Sequence, residues 1–303
     1  MSSGRDRAAR YFAYGIGIAS AVPLPELSLV APPPDASVRF APAARLRARR
    51  GSRGVSWRAG PKEVSIAWPR VGLFRIGGGR EIVVHPAPGV DESLLRLVLL
   101  GPALAILLHQ RGRLVFHASA VAREGRAFGF LGGSGRGKST LAAALHALGD
   151  DLVADDALVV SDDQPAPEVS PGFPQLKLWP DSARLLGEDL PPRLHPRVDK
   201  RALRLPRGFA ARPLPLGGLF VLARGARPSA ERLPPVEALA ELLRHTYGAR
   251  LILSFDARRQ MRRCASLLAK VPAYRLTLPR SLPSLGDGAR FVHDCMTGEP
   301  SMP

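Results

Sequence analysis

Between residues 11 and 90, short apolar runs alternate with turn-forming residues: Val38-Arg39-Phe40, Val64 to Trp68, Leu73 to Ile76 and Ile82-Val83-Val84. With Gly77-Gly78-Gly79 between two of these runs as a hairpin turn, the pattern predicts a small β-rich domain over residues 1–90. Asp91-Glu92-Ser93 then offers capping side chains ahead of the apolar run Leu94 to Leu108, which predicts the helix opening a second domain over 91–303. Arg96 and Gly101-Pro102 interrupt that run, so it reads as a broken core helix. No stretch reaches the roughly 18 apolar residues of a membrane span.

The second domain alternates strand and helix patterns, which predicts an α/β fold. Leu114 to Ala122 reads as a strand containing one histidine, His117, and Ala127 to Leu131 reads as a buried strand. Thr140 to Leu148 is rich in helix formers and closes on Gly149. Leu152-Val153-Ala154 and Ala157 to Val160 read as strands flanking Asp155-Asp156. Beyond them lie a proline-rich connection from Gln164 to Pro174, a short helix from Asp181 to Leu186 and a basic segment from Pro191 to Arg207. That segment reads as a mobile substrate loop or as exposed surface. Leu219 to Leu222 is a core strand, and Val236 to His245, Arg258 to Lys270 and Leu285 to Met296 are amphipathic helices.

The chemistry concentrates between the second and third of these strands. Gly132-Gly133-Ser134-Gly135-Arg136-Gly137-Lys138-Ser139, followed by Thr140, fits the pattern G-x-x-x-x-G-K-[ST], set between a buried strand and a helix. Glycines let backbone N–H groups approach phosphate oxygens, and the helix N-terminus adds partial positive charge. Lys138 can reach the β- and γ-phosphates and the Ser139 hydroxyl can ligate Mg²⁺, so the loop predicts ATP and Mg²⁺ as cofactors. A carboxylate at the end of a neighbouring strand is where nucleotide-bound Mg²⁺ is held. Asp155 is read as that ligand and Asp156 as the general base facing an incoming hydroxyl, though the two roles could be exchanged. Asp150, Asp151, Asp162 and Asp163 read as solvated acidic turns.

The segments His117-Ala118-Ser119-Ala120-Val121, Gly132 to Thr140 and Gly149 to Ala157 together resemble the HPr kinase/phosphorylase family, specifically its divergent HPr-kinase-like branch. Tyr14 to Ser20, Pro23 to Leu27 and Ile82 to Pro86 look like further parts of that branch. The resemblance implies a core related to phosphoenolpyruvate carboxykinase that phosphorylates a serine hydroxyl on a peptide or small protein, with His117 beside Asp156 at the reacting end. It also implies ribosomally made peptide precursors as substrates, PqqD-like peptide-binding proteins as partners, and a homo-oligomer. One departure stands out: the family's E-I-R-G element has as its nearest counterpart Gln175 to Asp181, which lacks the glutamate. This argues against phosphorolysis and against HPr as acceptor, and leaves Lys177 to meet a phosphate and Asp181 to substitute as metal ligand.

A net charge of +17 over 303 residues invites a nucleic-acid reading. Only five of the 43 basic residues are lysine, however, and arginine is spread along the chain with one dense run from Arg45 to Arg53, so no specific nucleic-acid partner is expected. Cys264 and Cys295 form no motif, which argues against a disulfide framework or zinc site. The charged N-terminus has no apolar signal-peptide core, and the expected compartment is the cytoplasm. Two rival readings remain: a small-molecule kinase or regulatory P-loop NTPase, and a basic nucleic-acid-binding or scaffold protein with a vestigial nucleotide site. The guanine motif N-K-x-D and the transporter signature L-S-G-G-Q are both missing from the chain.

Overall fold

The computed structural model describes residues 8–29, 33–42, 49–50, 54–60, 62–163, 165–185, 191–195, 198–279 and 285–298. Most of the arginine run at 45–53, the start of the proline loop at 31–34, and residue 186 lie outside them. The chain is mixed α/β and divides into two compact units, 1–112 with 250–256, and 113–249 with 257–303.

The first unit is built on a nine-stranded sheet of β1 (Ala9–Ala13), β2 (Ile16–Ser20), β3 (Ser28–Leu29), β4 (Ala36–Phe40), β5 (Arg49–Arg50), β6 (Ser56–Ala59), β7 (Glu63–Trp68), β8 (Gly72–Gly77) and β9 (Glu81–Pro86). Their order is β3-β1-β2-β4-β9-β8-β7-β6-β5. The turn between β8 and β9 needs φ of 58° at Gly78 and 66° at Gly79, a region that favours glycine. The Asp91 carboxylate caps the following helix by accepting from Ser93 N and Leu94 N. This helix runs as α1 (Glu92–Val98), a π turn (Leu99–Ala103) and α2 (Leu104–Gln110), with a non-helical φ/ψ pair at Gly101 just before Pro102. Proline withholds an N–H from the ladder there, and the wider turn absorbs the loss.

The unit division falls at 112/113 rather than at 90/91. The helix belongs with the first sheet because its end is bonded to β8 and the turn after it. Gln110 Nε2 donates to Ile76 O at 3.1 Å, and Gly79 N donates to Gln110 Oε1 at 3.0 Å. Glu92–Gln110 is long and apolar enough to cross a membrane by length and composition, and most of it is buried within the structure.

The second unit contains β10 (Leu114–Phe116), β11 (Ala118–Arg123), β12 (Arg126–Leu131), β13 (Asp151–Ala154), β14 (Leu158–Ser161), β15 (Glu168–Ser170), β16 (Gln175–Leu178), β17 (Arg193–His195), β18 (Val198–Arg204), β19 (Leu214–Arg224), β20 (Ser229–Arg232) and β21 (Ala273–Leu278). Its helices are α3 (Lys138–Ala147), α4 (Pro180–Leu185), α5 (Pro235–Arg244), α7 (Leu285–Thr297) and the greater part of α6 (Ala249–Leu268), which is broken at Asp256 and whose residues 250–256 count with the first unit. β12, β19 and β21 run parallel at the centre of the main sheet. β11 and β13 extend it antiparallel on one side, and β20 closes the other. β16, β18 and β17 form a separate three-stranded sheet.

Alternation along the central strands sends side chains to two cores. Phe128, Phe130, Phe220 and Leu222 pack with Leu141 and Leu145 of α3 and Val292 of α7. Ala127, Leu131, Leu219 and Val221 pack with Leu242 of α5 and Leu267 of α6. Phe220 anchors the first core, stacked on Phe130 at 5.7 Å and on Tyr274 at 5.4 Å between ring centroids.

Several expectations give way here. The run Leu114 to Ala122 is two strands: β10 pairs with β14, β11 pairs with β12 and β13, and His117 sits at the break between them. The proline-rich connection contains β15, and the described part of the basic segment holds β17 and β18, because β18 pairs antiparallel with β16 on one side and β17 on the other. Asp150 is no solvated turn: it is buried, accepting from Arg123 Nη1 at 3.3 Å and paired with His293 Nδ1 at 3.1 Å. Asp162 is likewise enclosed, paired with Arg263.

Replacing Phe220 with alanine removes the ring that touches three neighbours in a closed core. The expected cost is about 3–5 kcal/mol, read as a fall in the urea midpoint. An unfolding free energy within about 1 kcal/mol of wild type would contradict this packing.

Candidate active site

β12 ends at Leu131, and the chain turns through Gly132 to Gly137 into α3. The turn depends on φ of 76° at Gly135 and 96° at Gly137, where side-chain-bearing residues would be strained. Lys138, the first residue of α3, folds back over the loop. Its Nζ donates to Gly132 O at 2.7 Å and Gly133 O at 3.3 Å. Burial pushes this ammonium below its ordinary pKa; Asp156 and Asp155 pull it back up, and Lys200 adds to the depression. Thr140 Oγ1 lies 2.8 Å from Ser182 Oγ, tying α3 to α4.

Asp155 follows β13 directly and is 4% exposed. Its Oδ1 accepts from Ser139 Oγ at 2.8 Å and from Ser119 Oγ at 2.6 Å, and its Oδ2 accepts from Lys177 N at 2.7 Å. With its proton donated to the carboxylate, the Ser139 hydroxyl keeps its lone pairs free to accept or ligate, and the residue lines the cleft. A hydroxyl and a carboxylate oxygen fit the hard-cation preference of Mg²⁺, which keeps waters and takes few protein ligands when phosphates supply the rest. No group of three or more His, Cys, Asp or Glu side chains suited to a metal exists among the described residues.

Asp156 turns the other way, at φ of 77°, a left-handed conformation that aspartate tolerates better than most residues. Its Oδ2 accepts from Lys177 Nζ at 2.9 Å. His117 Nδ1 is 3.3 Å from Asp156 Oδ1 and 3.0 Å from its backbone carbonyl oxygen. Burial alone would raise the Asp156 pKa, but the Lys177 charge and the His117 and Lys177 hydrogen bonds outweigh it and hold the carboxyl well below its usual range. His117 is held from behind by the His245 carbonyl, which accepts its N–H at 2.8 Å, and by an edge-to-face contact with Tyr247 at 5.6 Å.

Most of the residues expected at the site lie together, with Asp155 beneath the cleft on Ser139 and Arg136 in a neighbouring cavity. Ser134, Gly135, Gly137, Lys138, Ser139, Thr140, Asp156 and His117 line one cleft, joined by Lys177, Trp179 and Lys200. A neighbouring cavity of about 420 Å³ shares Gly135, Gly137, Thr140 and Trp179 with it and continues over Arg136, Leu222, Arg224 and Leu278. Asp181, considered as a substitute metal ligand, lines this second cavity instead and pairs with Arg184 at 3.1 Å. Ser119, Trp179, Lys200 and Tyr247 were not anticipated from the sequence. Ser119 had a signal only in its nearness to His117, two residues away. The cysteines stay outside this chemistry, since burial pushes the Cys264 thiol up to about 12 and Cys295 up to about 11.

No family model matches the chain, and no curated relative does. Among solved structures it is similar to the HPr(Ser) kinase/phosphatase from Coxiella burnetii, with 14% identity and a TM-score of 0.33 over 61% of this chain and 99% of that one. At that distance the likeness does not extend to activity or substrate.

Asp155→Asn puts an NH₂ group among three donors and leaves at least one of them without an acceptor. The expected loss is about 1–3 kcal/mol of folding stability in the absence of any ligand, measured by chemical denaturation. Unchanged stability would mean the three contacts do not coexist.

Proposed function

We propose that this chain is an ATP-dependent phosphotransferase whose acceptor is a serine hydroxyl on a peptide or small protein. The observation that supports it most is the split between the two aspartates: Ser139 bonds to Asp155, while Asp156 faces the same cleft from beside His117 and Lys177. Asp155 would serve the metal of a nucleotide, and Asp156 an incoming hydroxyl.

In this reading the loop Gly132 to Thr140 is a P-loop. Its backbone N–H groups and Lys138 would hold the β- and γ-phosphates, with Lys138 exchanging the Gly132 carbonyl for phosphate oxygen. The 420 Å³ cavity, walled by Leu222, Leu278 and Trp179, would take the base and ribose. Ser139 and Asp155 would hold Mg²⁺, which neutralises charge on the phosphate oxygens when bound. Asp156 orients the acceptor hydroxyl and receives its proton as the new O–P bond forms and the bond to the β-phosphate oxygen breaks. Phosphoryl transfer through a loose transition state asks mainly for positioning and charge neutralisation, so a carboxylate kept ionised suits the task better than a strongly basic one. His117 and Lys177 supply that ionised, fixed carboxylate.

The peptide acceptor rests on the resemblance and on the absence of the E-I-R-G glutamate from the nearest counterpart segment, Gln175 to Asp181. A PqqD-like partner, an oligomeric assembly and a cytoplasmic setting belong to the same proposal. The rival readings differ in product: a small-molecule kinase labels a metabolite, and a basic scaffold binds nucleic acid in a salt-sensitive way without turnover.

With γ-labelled ATP and candidate peptides, Lys138→Ala should lose phosphotransfer and bind ATP more weakly. Asp156→Asn should slow phosphotransfer at least about 10²-fold with little change in ATP affinity. Wild-type turnover in either variant would remove the kinase reading, and efficient phosphate-driven reversal on phosphorylated HPr would place the protein with the bifunctional enzymes instead.

A further inference from the structure

Lysine is scarce in this chain, five of 43 basic residues: Lys62, Lys138, Lys177, Lys200 and Lys270. Three of the five, Lys138, Lys177 and Lys200, line the one small cleft beneath the glycine loop. Elsewhere arginine fills nearly every cationic position. Lysine presents a compact point charge with three rotatable donors, which suits a phosphate approached from several sides, whereas arginine presents a rigid planar fork. Convergence of the rare cation on one cleft is what a polyphosphate site requires.

Lys138 and Lys177 lie at the floor, on the loop carbonyls and on Asp156. Lys200 is carried by β18, the strand paired with the β16 of Lys177 in the three-stranded sheet, with its Nζ over the Trp179 ring at 5.8 Å from the centroid. It lines the same cleft as Lys138, and the two like charges repel. Two ammonium groups lining one cleft repel each other until an anion binds there, and then both attract it. Trp179 lines the cleft and the larger cavity alike, so Lys200 rests at the junction of the two.

We propose that Lys200 is a further phosphate-binding residue, leaving the Trp179 ring for the terminal phosphate of a nucleoside triphosphate and giving the site its preference for triphosphate over diphosphate. This rests on the nucleotide-site reading above. Lys138 serves the phosphates the two ligands share, whereas Lys200 serves the group that only the triphosphate carries.

Calorimetric titration of Mg-ATP and Mg-ADP into wild type, Lys138→Ala, Lys200→Met, Lys200→Gln and Lys200→Arg tests it, alongside Trp179 emission. The other two tryptophans, Trp57 and Trp68, belong to the first unit. Both neutral variants should lose about tenfold in ATP affinity and under threefold in ADP affinity, and Lys200→Arg should recover part of the ATP loss. ATP should change Trp179 emission more than ADP does. Equal losses for both nucleotides, or no loss for ATP, would overturn the role of Lys200 while leaving the nucleotide site standing, provided Lys138→Ala still weakens both. Binding of neither nucleotide by wild type would overturn both readings together.

Discussion

Asp155 brings a negative charge to a place water barely reaches, and three donors from three separate elements close around it: Ser119 of β11, Ser139 of α3 and the Lys177 amide of β16. A buried carboxylate is costly unless its lone pairs are filled, so these contacts are obligatory for the fold as well as useful to the site. They tie the glycine loop's helix, the strand beside His117 and the small sheet that carries Lys200 to one atom group. The position of the Ser139 hydroxyl, the height of the small sheet over the cleft and the turn that swings Asp156 away all follow from it.

Asp156 depends on that anchor in turn. With its neighbour held from below, the chain reverses at φ of 77°, and the second carboxylate emerges between His117 and Lys177. Strain of this kind persists only where the surroundings over-determine it, and it concentrates at sites that do chemistry. Two adjacent, chemically identical residues thereby acquire different environments. One is enclosed by neutral donors beside the loop; the other is held ionised by a cation and an imidazole at the cleft surface.

Much of this was legible in the chain. The glycine loop could be read because its steric demands are strict: glycine where φ is positive, lysine and serine at the helix start. The strands and helices on either side could be read from apolar runs and the closing Gly149. The break at His117 could not, because a strand that changes partners looks like one continuous strand when both halves are apolar. β15, β17 and β18 were hidden for a different reason: they are short or polar, and only pairing with distant segments makes them strands. Asp150 looked like surface because its partners, Arg123 and His293, are far away in sequence. Lys200 and Trp179 carry no motif; the scarcity of lysine was the one local sign.

The central claim is that the glycine loop seats a triphosphate, with the two aspartates serving metal and acceptor separately. A crystal structure with a non-hydrolysable ATP analogue and Mg²⁺ tests it most directly. The account predicts phosphate oxygens against the backbone N–H groups of the 132–139 loop, Lys138 Nζ moved from the Gly132 carbonyl onto phosphate, the metal at Ser139 on the Asp155 side, and Asp156 left facing the terminal phosphate. An analogue bound elsewhere, or a metal seated on Asp156 with Asp155 uninvolved, would contradict it.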